Sequence, residues 1–66
     1  MATRYKKTKT VIGFEGDDDA WLKFDAGKDV IYAEAFSETN LTPANARELA
    51  AWLVAAADRM EKKAKP

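Results

Sequence analysis

The sequence predicts an α+β domain: a three-stranded antiparallel β-meander with one C-terminal α-helix packed on one face, in the order βββα. Three observations lead there. Residues 20–26 and 30–36 alternate with the period of a half-buried strand. A glycine-containing turn segment separates them. From Thr42 onward a capped, alanine-rich segment repeats its apolar residues at helical spacing. A chain of 66 residues has room for a single domain, residues 1–66, with basic, flexible ends expected at about 1–6 and 63–66.

The first strand is expected at about residues 7–15, with Thr10, Ile12 and Phe14 turned inward. A three-residue loop at Gly16-Asp17-Asp18 would then set Ile12 opposite Leu22 and Gly13 opposite Trp21, the indole covering the bare backbone of the glycine. In the second strand Ala20, Leu22 and Phe24 share the inner face, while Trp21, Lys23 and Asp25 point outward. A two-residue turn at Gly27-Lys28, with Gly first as a type II′ turn favours, predicts Phe24 beside Ile31 and Leu22 beside Ala33. In the third strand Ile31, Ala33 and Ala35 face inward, opposite Val30, Tyr32, Glu34 and Phe36. The helix starts at Thr42 as N-cap, with Pro43 where a missing N–H costs nothing and Leu41 placed to staple the entry. At about 100° per residue, Ala46, Leu49, Ala50, Leu53, Ala57 and Met60 form one stripe, expected to lie over Ala33 and Ala35. Asp58 with Lys62 and Glu61 with Lys65 are spaced as i,i+4 ion pairs.

The core is thin. Hydrophobic residues make up 47% of the chain, but 13 of them are alanine. A chain near this size buries only about 60% of its unfolded surface, so oligomerisation is a natural supplement. With no Cys and no His, neither a disulfide, a zinc-thiolate site nor a Ser-His-Asp triad can be built. No cofactor motif, metal-ligand spacing or oriented acid-base pair appears, so the chain is read as no enzyme and as needing no cofactor. The acidic run Glu15-Gly16-Asp17-Asp18-Asp19 lacks the alternating ligand spacing of a calcium loop and reads as a solvated hairpin tip. No signal-peptide or membrane-spanning stretch is present, which predicts a cytoplasmic protein with no membrane partner.

The net charge is zero but segregated: residues 1–12 carry four bases and no acid, and residues 13–40 carry eight acids against two bases. Such segregation suits head-to-tail contacts between copies. The surfaces expected to carry function are the outer sheet face, with Val11, Trp21, Tyr32 and Phe36, and the helix flank with Trp52 and Ala55. Trp52 lies about 100° round the helix from the expected buried stripe. It either packs over the sheet edge of its own chain or meets its copy across a twofold axis. Arg4, Lys6, Lys7 and Lys9, interleaved with Tyr5, form a second candidate, for nucleic acid, against the reading of a solubilising end.

The stretch from Leu41-Thr42-Pro43 through Ala46-Arg47-Glu48-Leu49-Ala50 to Ala56-Ala57-Asp58 resembles the C-terminal helix of small uncharacterised actinobacterial and actinophage proteins. That resemblance implies an actinobacterial or phage source more than an activity and carries over no functional residue; a host or phage protein is a further expected partner. The sequence is therefore read as a non-catalytic, homodimeric interaction module, with a small nucleic-acid-binding accessory protein as the alternative.

Overall fold

The computed structural model describes residues 1–64 and has four strands, not three. The order is β1 (Thr3–Lys7), β2 (Val11–Glu15), β3 (Trp21–Ala26), β4 (Ile31–Phe36) and α1 (Pro43–Ala64), with the strands in one antiparallel sheet in chain order. The extra strand is β1, where the sequence reading placed a flexible basic end. All five of its residues are exposed, so it has no apolar alternation to betray it. The break between β1 and β2 is a threonine turn. The Thr8 hydroxyl accepts the N–H groups of Thr10 (3.2 Å) and Val11 (3.0 Å), and Thr8 N–H donates to the Val11 carbonyl at 2.7 Å.

Both of the other hairpins are shifted by two residues from the expected register. Ile12 pairs with Phe24 rather than Leu22, and Leu22 pairs with Ala35 rather than Ala33. An even shift keeps every side chain on its expected face, whereas an odd one would have turned the sheet inside out. The turns explain the shift. At the β2–β3 tip Asp18 and Asp19 take left-handed φ values of 56° and 62°, so the loop centres one residue later than Gly16 suggested. In the β3–β4 hairpin Gly27 has no positive φ; its N–H donates to the Val30 carbonyl at 2.8 Å, and Lys28-Asp29 form the tip.

The helix begins as the sequence predicts. Thr42 Oγ1 accepts the Asn45 N–H at 3.0 Å while Asn45 Oδ1 accepts the Thr42 N–H at 3.2 Å, a reciprocal cap. Its buried face, however, is turned by roughly 70° from the expected stripe toward Trp52, with Ala57 and Met60 still half-buried. Trp52 and Ala56 are buried, Leu49 and Leu53 half-buried, and Ala46 and Ala50 exposed. The core is the cluster of Ala2, Ile12, Phe14, Trp52 and Ala56.

Three polar tethers on one side of the helix account for the turn. Glu48 meets Arg4 at 2.8 Å and Lys7 at 3.3 Å; Trp52 Nε1–H donates to the Thr8 carbonyl at 2.7 Å; and the Arg59 guanidinium donates to the Lys9 carbonyl. All four partners belong to β1 or its turn, so the strand missing from the expected sheet also draws the helix toward that edge. The consequence is that β4 is left uncovered: Ala33 and Ala35, expected under the helix, are exposed. Asp58 and Lys62 form no ion pair among the described residues, and the expected partner of Glu61, Lys65, lies outside them, as does the end of the basic tail.

Candidate functional site

With the helix drawn toward β1, small apolar positions on its other side and on β4 are left exposed. Glu48 and Arg59 reach toward β1, while Met60 stands with Ala26 and Gly27 at the β3–β4 turn. Leu53, on the same flank as Met60, therefore overlooks β3 and β4. On the helix Ala46 and Ala50 are exposed and Leu53 and Ala57 half-buried; at the inward positions of β3 and β4, Ala33 and Ala35 are exposed and Leu22 and Phe24 half-buried, with Phe24 and Leu53 packed against the core. No charged side chain belongs to that set. Val54, next on the helix, is 62% exposed.

The outer face of the sheet is mixed in character. Cross-strand rows run Glu15-Trp21-Phe36, Gly13-Lys23-Glu34 and Val11-Asp25-Tyr32. Lys23 pairs with Asp25 at 3.6 Å. Tyr32 and Phe36 are more than half exposed, and Trp21 and Val11 are half-buried. Gly13 is covered by Tyr5, not by Trp21. A bulge between Arg4 and Lys6 brings the tyrosine ring over the glycine, where an added Cβ would meet it at 2.5 Å. Tyr32, in turn, stacks on Gly27, with ring carbon Cε2 2.9 Å from the Cβ position.

The sequence-predicted site residues thus divide. Trp52 is 6% exposed at the centre of the monomer core, with its indole N–H satisfied by Thr8, so it presents no surface to a second chain. Of the two readings of Trp52, its burial and its bond to Thr8 fit packing within its own chain and not a meeting with its copy. Ala55 is exposed, and Trp21, Tyr32, Phe36 and Val11 share the outer face. Of the basic N-terminal residues, Arg4 and Lys7 are drawn to Glu48, while Lys6 and Lys9 remain exposed. Partial burial pushes the Glu48 carboxyl up, but the hydrogen bonds and charges of Lys7 and Arg4 outweigh it and hold its pKa below the ordinary 4.5. Sequence reasoning missed the exposure of Ala33, Ala35, Ala46 and Ala50, because it depends on where the helix lies across the sheet. The one available signal was the spacing of Glu48, Trp52 and Arg59 on a single helix face.

The strand connections also sort charge by position. The β1–β2 and β3–β4 turns share one end of the molecule with the last turns of the helix, where Lys9, Lys28, Arg59, Lys62 and Lys63 outnumber Asp29, Asp58 and Glu61. The β2–β3 tip and the β4–α1 connection share the other end, with Asp17, Asp18, Asp19 and Glu38. Among the described residues no cluster of carboxylates has the arrangement of a metal site, and no helix is long and apolar enough to cross a membrane. The chain matches no family profile, no curated protein and no solved structure.

Proposed function

We propose that this chain is a non-catalytic interaction module that works as a homodimer, with the exposed apolar positions of α1 and β4 as the seat of the second copy. The observation that carries the reading is the exposure of Ala33, Ala35, Ala46, Ala50 and Val54, beside a core in which, among the described residues, Ile12, Phe14 and Trp52 are the large buried side chains. A stable interface takes about 800 Å² from each partner, roughly a sixth of this chain's 4878 Å² surface, and thereby adds the burial that a small domain lacks. Ala46, Ala50 and Ala57 keep the helix wall low, so the axes of two helices can approach to about 8–10 Å.

Charge supports a second copy as occupant and sets its direction. With the two helices antiparallel about a twofold axis, the basic end of each chain lies against the acidic end of the other. The outer face of Trp21, Tyr32 and Phe36 then stays open to a further protein partner, such as a host or phage protein. The nucleic-acid alternative is weaker, because Arg4 and Lys7 are already drawn to Glu48.

Sedimentation equilibrium tests the reading. The wild-type chain should be a dimer at moderate salt and should loosen only modestly at high salt. Ala35→Glu and Val54→Glu, both at positions exposed in the monomer, should give folded monomers by circular dichroism. A wild-type monomer at every concentration, or a dimer indifferent to both substitutions, would remove the proposal.

A further inference from the structure

The helix outruns the sheet. At about 1.5 Å per residue the 22 residues of α1 span roughly 33 Å, against roughly 17–20 Å for strands of five or six residues. Its last turns therefore overhang the β1–β2 and β3–β4 turns, and the space beneath them is a cleft of about 380 Å³. That volume falls within the range of about 300–1,000 Å³ typical of small-molecule sites.

The cleft is amphipathic. Its floor is Ala26, Ala56 and Met60, continuous with the core through Ala56. Its rim carries four cations, Lys9, Lys28, Arg59 and Lys63, against the single carboxylate of Asp29. Among the described residues none of these side chains is in an ion pair, and one guanidinium nitrogen of Arg59 is engaged by the Lys9 carbonyl. The cations also offset the partial negative charge that the end of the helix would present to an anion. No aromatic side chain lines the cleft, so it offers no stacking platform of the kind that holds a nucleobase. A flexible thioether beside two alanines instead fits an unbranched alkyl chain.

We infer that this cleft is a binding site for a small amphiphile with an anionic head and an alkyl body, the head held by Arg59, Lys28 and Lys63 and the chain laid over Ala26, Ala56 and Met60. The site lies at the end of the sheet, away from Ala33, Ala35 and Val54, and is formed by one chain, although the proposed dimer turns the same cations toward its partner's acidic end.

Sodium decanoate, below the concentration at which it forms micelles, is the probe, titrated into the full chain by calorimetry and by methyl NMR. Decanoate should bind once per chain, with shifts confined to the methyl groups of Ala26, Ala56 and Met60. Decanol should bind about tenfold or more weakly, because it forgoes the charge-assisted hydrogen bonds, and inorganic phosphate should not compete measurably because it lacks the chain. The exposed-site double substitution Lys28→Glu/Lys63→Glu should weaken decanoate about tenfold or more without changing the circular dichroism spectrum. Equal affinity for decanol and decanoate, shifts centred on Ala33 and Ala35, full binding by the doubly substituted chain, or no binding by the wild type would each overturn the assignment.

Discussion

Strands β2 and β4 are built from similar material and have opposite fates. In β2, Ile12 and Phe14 are completely buried and Gly13 is closed off by Tyr5; in β4, five of six residues are exposed, with Ala33 and Ala35 open on one face and Tyr32 and Phe36 on the other. The difference comes from the position of the helix, which Glu48, Trp52 and Arg59 fasten to β1 and its turn. One helix cannot cover four strands. Where it is tethered, the chain completes its own core; where it is not, an apolar surface remains that a second molecule can use.

Substitutions on the two strands and their coverings should separate accordingly. Trp52→Ala removes the centrepiece of the enclosed half. A loss of about 3–5 kcal/mol is expected, enough to unfold a domain of this size, whereas Phe36→Ala in the open half should change monomer stability by less than about 0.5 kcal/mol. Urea denaturation of both variants checks this, and equal losses would erase the contrast.

Gly13→Ala tests the outer cover of the enclosed strand. The new methyl group would collide with the Tyr5 ring, at a cost of about 1–3 kcal/mol, and the added change Tyr5→Ala should recover part of it. At the open strand's end, Ser37 holds a left-handed φ of 68°. Ser37→Gly should raise the thermal midpoint, by up to about 1 kcal/mol of stability, because glycine takes that conformation without strain.

The smallest effect concerns the tether that sets the helix off centre. Because the folded-state pKa of Glu48 is lowered, its ionised form stabilises the fold above the ordinary carboxylate pKa of 4.5. That contribution fades as pH falls through the lowered value, and is absent once the carboxyl is protonated in both folded and unfolded chains. Glu48→Gln should therefore flatten the acid side of the stability profile, measured by denaturation between neutral pH and pH about 2, while leaving its shape above pH about 6 unchanged.

Much of this fold is legible in local chemistry. The inward and outward faces of β2, β3 and β4 follow from alternation, and they survive a two-residue error in both hairpins because side-chain direction has period two. The start of α1 follows from Thr42-Pro43, with Asn45 completing the cap. The strand β1 was hidden because an exposed edge of Arg4, Lys6 and Lys7 carries no apolar signal, and Thr8 turns the chain through a hydroxyl whose partners lie only two and three residues on.

The sequence by itself thus determined the α+β class, the faces of the three apolar strands, the helix start and the absence of thiol and imidazole chemistry. Only the tertiary structure decided which side of the helix is buried, that β4 stays open and which cations share a cleft. The physical reason is one of range. Alternation and capping act between residues a few positions apart, whereas the bonds from Glu48 to Arg4, from Trp52 to Thr8 and from Arg59 to Lys9 each join positions more than forty residues apart. No local period records them, yet they set the helix on its line across the sheet and so divide the molecule into a closed half and an open one.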